Sequence, residues 1–228
     1  MPELTVVFTI VLTLGAYLLF RFLYMRYRHP LLNIVLLGAA SIITVLIVCK
    51  IPYQAYVPGK NIMTSLLGPA TVGLAVPLYR HRSILRGYAP AILIGVAVGV
   101  FTSMASAAII ALLAGLPKEV VLSLVPKGVT IPFAVEIARI HGGSPALASA
   151  FVIATGTLGS VFGGTLLTLT GIKDPVARGL AMGTGAHGQG TAMAFIEGQQ
   201  QGSMAGLAMT LAGIMTASFA PILIPFLI

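Results

Sequence analysis

The sequence is poor in charged residues and in the side chains that bind metals or form cross-links. Only 8% of its 228 residues are charged, it has no tryptophan, and Cys49 is its single cysteine. One cysteine cannot form an internal disulfide, and no CxxC or Cys/His spacing indicates a zinc site. The sequence therefore disfavours a structural metal or a redox role, and we predict no cofactor.

Acidic residues are scarcest, with 5 Asp and Glu against 13 Lys and Arg, so the net charge is +8. A basic chain can bind nucleic acid, but here the basic residues stand in short loops between apolar runs, near 21–28, 50–60 and 80–86. Loops at a membrane surface have this composition. We predict the lipid bilayer, and no nucleic acid, as the partner that explains the charge.

Apolar residues fill most of the chain. They make up 57% of it, and the mean hydropathy is +1.02, whereas soluble domains are about 45–50% apolar. Several runs approach or exceed the roughly 20 residues with which a helix crosses a bilayer. We predict an all-α polytopic membrane protein with about eight membrane segments, near 4–24, 31–50, 61–80, 88–115, 119–140, 145–170, 176–197 and 204–227.

Three of these segments contain Pro, Gly, Thr or charge: 61–80 with "LLGPATVGLAVP", 119–140 with "VPKGVTIP", and 176–197 with "GTGAHGQGTAM". Lipid cannot hydrogen-bond a backbone, so an interrupted helix is tolerated only inside protein or beside a wet cavity. We predict broken or re-entrant helices around an interior site. They would lie in a transport core, 61–228, preceded by scaffold or oligomerisation helices, 1–50, in a homo-oligomer.

The broken segments also resemble one another at a spacing of roughly 55 to 60 residues. "SLLGPATVGLAVPLYR" is similar to "SLVPKGVTIPFAVEIAR", and a weaker third unit begins near Lys173. We predict internal repeats, with chance similarity between Gly- and Ala-rich helices as the alternative. Units of two crossings would repeat in one orientation, whereas a re-entrant broken segment would invert it.

The second broken segment carries a lysine between two prolines. Broken helices at membrane depth direct helix N-termini into a cavity, and many secondary transporters hold anionic groups in this way. Lys127 would add a full positive charge, Thr130 a hydroxyl, and Gly128 a close approach to the backbone. The alternative is that Lys127 extends to the interface near the charged turn at 118–119.

The third broken segment surrounds His187 with glycines and with Thr184, Gln189 and Thr191. Ionisable groups at membrane depth cost at least about 2.5–3.5 kcal/mol, so they are usually paired or functional. The imidazole could donate to a substrate carboxylate, or carry a coupled proton because it titrates between about pH 5 and 8. The alternative is a hydrogen bond between packed helices. We expect His187 and Lys127 to share one cavity.

Two further residues complete the predicted site. Thr71 supplies a hydroxyl from the first broken segment, and Glu136, one turn after Pro132, is a second candidate for proton coupling. The alternative for Glu136 is an interfacial ion pair with Arg139 at i+3. Small residues recur at spacings of three or four and predict close helix packing: Gly95, Gly99, Ser103 and Ser106, then Gly156, Gly159, Gly163 and Gly164.

Four strings make the chain resemble the LrgB/CidB family of bacterial membrane proteins: "LLGPATVGLAVPLYR" (66–80), "VPKGVTIPFAVEIA" (125–138), "KDPVARGLAMGTGAHGQGTAMA" (173–194) and "LAGIMTASFAPIL" (211–223). The same family is represented in the C-terminal half of the plant plastid glycolate/glycerate transporter. The similarity covers nearly the whole chain, and it implies a multi-pass protein of the bacterial inner membrane.

The resemblance implies two competing functions. One is a holin- or antiholin-like modulator of murein hydrolase export and cell lysis, working with a small LrgA/CidA-type membrane partner. The other is transport of small monocarboxylates such as pyruvate, glycolate or glycerate. We favour transport, because an oligomeric pore needs no broken helices around a lysine and a histidine. We do not expect an enzyme, since the sequence has no nucleophile–base pair or metal cluster.

Overall fold

The computed structural model describes residues 2–27, 32–66, 69, 79 and 82–227. Within these ranges the regular elements are helices, which confirms the predicted all-α class. The chain forms two compact units, Met1–Val76 and Pro77–Ile228. The predicted division into scaffold helices and a transport core concerns function and stays a prediction.

The first unit contains α1 (Pro2–Tyr27), α2 (Ile34–Val48) and α3 (Tyr53–Ser65). Asn33 starts α2, because its side chain accepts the N–H of Leu36 at 2.8 Å. Gly59 lets α3 approach α1 closely: a Cβ on this glycine would lie 2.6 Å from Thr9 Cβ. Most of the first broken segment, including Thr71, falls on residues 67–68, 70–78 and 80–81, which lie outside the described residues.

Within residues 82–227, the second unit contains three long helices and three shorter ones. The long helices are α4 (Arg82–Leu113), α7 (Pro145–Leu169) and α9 (Gln199–Leu227), and the others are α5 (Lys118–Leu124), α6 (Ile131–His141) and α8 (Pro175–Glu197). With α1, the long helices supply four candidate membrane spans: Thr5–Tyr27, Arg86–Leu113, Pro145–Leu169 and Gln199–Phe226. The count of eight membrane segments stays a prediction.

Helices α5 and α6 form a hairpin, called hairpin 1 (residues 118–141). The chain turns over residues 125–130, where Pro126 cannot donate a backbone hydrogen bond, and it returns along α6. The returning chain reaches α5 again after α6 has ended: Ser144 N–H donates to Ser123 Oγ at 2.7 Å. Gly142 ends α6 in the left-handed conformation, with φ of 87°.

Helix α8 is also a hairpin, called hairpin 2 (residues 175–197). His187 has φ of 40° and ψ of −126°, which no helix contains. Arg178 and Glu197 stand 19 residues apart, yet Arg178 Nε and Nη2 donate to the two carboxylate oxygens of Glu197 at 2.8 Å each. A straight helix would separate these residues by about 28 Å. The two halves of α8 therefore run back along each other.

The two hairpins are anchored at opposite ends of α7. Hairpin 1 leads directly into the start of α7, whereas Arg178 of hairpin 2 donates to the carbonyls of Gly164 and Ile172 and to Thr168 Oγ1, at the end of α7. The 25 residues of α7 make it about 37 Å long, enough to cross the roughly 30 Å hydrocarbon layer. The hairpins thus point toward each other. The internal repeats and their orientation stay a prediction.

Hairpin 2 can be tested by cross-linking its ends. In a Cys49→Ser background, Arg178→Cys and Glu197→Cys together are expected to react with a short bifunctional thiol reagent within one molecule, because the two side chains touch. Gln199→Cys with Ser218→Cys is the matched control, since these exposed positions on α9 have the same separation in sequence. Cross-linking of the control pair alone would contradict the hairpin.

Candidate functional site

The tips of the two hairpins meet beside α4. A Cβ on Gly128 would lie 3.1 Å from Ser103 Oγ and 3.7 Å from the carbonyl oxygen of Thr184. Thr184 in turn packs on α4, where a Cβ on Gly99 would lie 3.0 Å from its Cγ2. Gly128 therefore provides the close backbone approach that the sequence predicts, and the residues it approaches belong to α4 and hairpin 2.

A small cavity lies at this meeting point. Its volume is about 10 Å³, close to the smallest space that holds one water molecule. A carboxylate would need more room than this cavity offers. The lining residues come from α4, hairpin 1, hairpin 2 and α9: Val100, Ser103, Met104, Val125, Gly128, Thr184 and Thr216.

Lys127 lies next to this cavity and has no carboxylate partner among the described residues. Its side chain is half-buried, and Nζ donates to Ser103 Oγ at 3.3 Å. The ion pairs within the described ranges are Arg139–Glu136 and Arg178–Glu197, and neither includes it. An ammonium group has three donors, and the bond to Ser103 uses one of them.

Helix α6 begins beside the lysine and adds to the positive character of the tip. Thr130 precedes its first residue and makes no side-chain capping hydrogen bond. The N–H groups of a first helical turn lack partners within the helix, and they carry the positive end of its dipole. Lys127 and this helix N-terminus would therefore both attract an anion at the tip.

His187 lies at the tip of hairpin 2 and faces α7. Its Nε2 donates to the carbonyl of Val152 at 3.0 Å, and the ring is buried. A Cβ on Gly156 would lie 2.5 Å from the ring, so only glycine admits it. Thr191 Oγ1 donates to the main-chain carbonyl of His187 at 2.8 Å, which supports the turn.

The structure brings some predicted site residues together and separates others. Lys127, Gly128 and Thr184 meet at the tips, with Thr130 adjacent. His187 follows Thr184 by one turn, but its hydrogen bond goes to α7 whereas that of Lys127 goes to α4. A joint role of the two in one site stays a prediction.

Glu136 lies on the exposed side of α6. Arg139 donates to both of its carboxylate oxygens, at 3.0 and 2.6 Å. Glu136 also borders an apolar groove of about 530 Å³ between α6 and α9. This is the arrangement of the interfacial ion pair named as its alternative. Its role in proton coupling stays a prediction.

Two residues of the site were not selected from the sequence. Ser103 belongs to a row of small residues that predicted only packing, and Thr216 is one of four hydroxyl residues in α9. The ion pair at the base of hairpin 2 was not predicted either, because Arg178 and Glu197 are 19 residues apart. Only contacts between distant elements distinguish these side chains from others of the same type.

The family model of the LrgB-like family matches residues 13–226 of this chain. The chain is a member of the LrgB-like family. Protein YwbG of Bacillus subtilis strain 168 is 37% identical over 216 residues, 95% of this chain and 96% of that protein. The holin-like protein CidB of Staphylococcus epidermidis is 31% identical over 221 residues, 97% of this chain and 96% of that protein. No solved structure matches the chain.

The matches confirm the resemblance drawn from the four sequence strings, and the match to the LrgB-like family includes both hairpins. Together with the four apolar helices they establish a membrane protein of the LrgB-like family. The name of the CidB relatives describes those proteins as holin-like.

Packing of the hairpin 2 tip on α7 predicts the effect of two glycine substitutions. Gly156→Ala places a methyl group against the His187 ring, and we expect it to lower the stability of the protein by about 1–3 kcal/mol, the usual cost of overpacking. Gly95→Ala, on α4, meets no atom within 4 Å. It should be neutral or stabilising by about 0.5–1 kcal/mol, because alanine favours helices.

Thermal unfolding of the two purified variants in detergent measures this difference. Equal melting temperatures for Gly156→Ala and Gly95→Ala would contradict the contact between the histidine ring and α7.

Proposed function

We propose that the protein is a secondary carrier of small monocarboxylate anions such as pyruvate, glycolate or glycerate, in the bacterial inner membrane. The environment of Lys127 is the observation that carries this proposal. This lysine stands at the meeting point of two hairpins, bonded to Ser103 and without a carboxylate partner among the described residues. A single positive charge with neighbouring hydroxyl groups suits a ligand of one negative charge.

The lengths of the hairpin arms support a position of this lysine near the middle of the membrane. Helix α6 has 11 residues, about 16 Å, and the first arm of hairpin 2 from Pro175 to Ala186 extends about 18 Å. Half of the hydrocarbon layer is about 15 Å. A lysine at this depth is costly, so we assign it a function rather than a packing role.

The opposed hairpins also suggest how a ligand would pass. The two tips together enclose the site. While both are in place, the cavity of about 10 Å³ is too small for an anion. Withdrawal of one hairpin would open the site to the side from which that hairpin enters. Alternating withdrawal of the two would carry an anion across without an open pore, as carriers with a central site do.

The second candidate is a holin-like function, which the name of the CidB relatives supports. A holin-like protein would let unrelated solutes cross the membrane, whereas a carrier selects them. A homo-oligomer, with or without a small LrgA/CidA-type membrane partner, is compatible with both candidates. We propose no enzymatic activity.

Replacing Lys127 tests the carrier proposal. Lys127→Ala in proteoliposomes should reduce uptake of labelled pyruvate, glycolate or glycerate by roughly 10- to 150-fold. This range corresponds to about 1.5–3 kcal/mol for the hydrogen bond of a charged group. Lys118→Ala is the matched control, because Lys118 is an exposed lysine on the same hairpin.

Two results would count against the proposal. Uptake by Lys127→Ala at the wild-type rate would show that Lys127 does not bind the anion and would favour its interfacial alternative. Release of an uncharged dye or sugar from wild-type proteoliposomes, at the rate of the carboxylates, would favour the holin-like function.

A further inference from the structure

Two buried threonines from different elements line the cavity beside Lys127. Thr184 of hairpin 2 is 9% exposed, and Thr216 of α9 is 2% exposed. A threonine hydroxyl on a helix can donate to a carbonyl of the preceding turn. Neither Thr184 nor Thr216 makes this bond, or any other side-chain hydrogen bond, within the described residues.

The other buried threonines in the described ranges behave differently. Thr9 Oγ1 donates to the carbonyl of Thr5, and Thr191 Oγ1 donates to the carbonyl of His187, each at 2.8 Å. These hydroxyls are satisfied four residues back along the chain. Both buried threonines without such a bond border the same cavity, so the cavity is where their hydroxyl groups act.

The burial of the two threonines shows that their oxygens open onto this cavity. Every fully enclosed side-chain nitrogen or oxygen in the described part of the chain has a hydrogen-bond partner. An oxygen without a partner on a buried residue therefore borders a space, and the cavity is the space that both residues line. The methyl group of Thr184 packs on α4, where a Cβ on Gly99 would lie 3.0 Å from Cγ2.

A pair of hydroxyl groups suits an oxygen atom of a ligand. Each threonine hydroxyl can donate one hydrogen bond and accept others, so the pair can serve a hydroxyl or a keto group. A C–H group at the same place would leave both hydroxyls unpaired, and such a site discriminates against that ligand. Lys127 is bonded to Ser103, which lines the same cavity. A carboxylate at this lysine would therefore hold its adjacent carbon close to the two hydroxyls.

We propose that Thr184 and Thr216 bind an oxygen on the carbon next to the carboxylate, and so determine the specificity of the site. This proposal rests on the proposed carrier function, and it assigns a second contact to the anion besides Lys127. A carboxylate with a hydroxyl or keto oxygen at that carbon should bind better than the unsubstituted acid of equal length. Glycolate and acetate are the matched pair, because they differ by this one oxygen atom.

Competition for uptake measures the preference. Wild-type proteoliposomes take up labelled glycolate while unlabelled glycolate or acetate is added, and the concentrations that halve uptake are compared. Acetate should be needed at roughly tenfold the concentration of glycolate or more, because it leaves both hydroxyls unpaired. Thr216→Val keeps the shape of the side chain without its hydroxyl and should reduce this ratio by about 3- to 10-fold. Thr184→Val should do the same.

Two further variants separate recognition of the ligand from packing. Thr216→Ser retains the hydroxyl and should keep the wild-type ratio. Thr210→Val is the matched control on α9, because Thr210 is exposed and its hydroxyl donates to the carbonyl of Gly206 at 3.0 Å. It should also keep the ratio. A purely structural role of Thr216 would change the rate of uptake and leave the ratio of acetate to glycolate unchanged.

The outcomes distinguish this proposal from the carrier itself. Glycolate uptake that acetate and glycolate inhibit equally would overturn the threonine contact and leave the carrier in place. The wild-type ratio in both Thr216→Val and Thr184→Val would also overturn the contact, because the hydroxyls would then only line the cavity.

Absence of glycolate uptake would contradict the carrier, and thermal unfolding of the purified full-length protein would then test the contact. A higher melting temperature with glycolate than with acetate, lost in Thr216→Val, would support it, because a ligand stabilises the state that binds it. Equal melting temperatures with the two acids would overturn it.

Discussion

The structure depends on one constraint, that a backbone inside lipid must satisfy its hydrogen bonds within protein. A chain that turns back at membrane depth exposes peptide groups at the turn, and these need a protein surface around them. In the proposed arrangement both hairpins turn back at membrane depth, and each tip lies against the other and against the long helices α4 and α7. Neither turn would be tolerated alone in contact with lipid.

Close packing of the tips follows from this constraint, and it explains why glycine occupies the contact positions at and near the tips. Gly128 brings one tip against Ser103 and Thr184, while Gly156 admits the ring of His187. A side chain at either position would separate elements whose polar groups depend on contact. The same packing leaves a cavity too small for an anion, so movement of a hairpin becomes a requirement of any carrier mechanism.

The sequence allowed the helical class, the membrane location and the family to be predicted, because apolar run length and distinctive local strings carry that information. It also indicated breaks at 125–130 and around His187, since proline and glycine act locally. It could not show that both segments fold back, because the contacts responsible join distant residues such as Arg178 with Glu197 and Ser123 with Ser144. Ser103 and Thr216 were not predicted as site residues for the same reason.

The arrangement of two hairpins entering from opposite sides is tested most directly by labelling single cysteines with a membrane-impermeant maleimide. In a Cys49→Ser background, four exposed positions are compared. Lys118 is the first residue of hairpin 1 and Ala146 follows its end, while Lys173 and Gln199 flank hairpin 2. The account predicts that Lys118→Cys and Ala146→Cys react from one side of the membrane, and Lys173→Cys and Gln199→Cys from the other. Labelling of either flanking pair from opposite sides would show a complete crossing and contradict it.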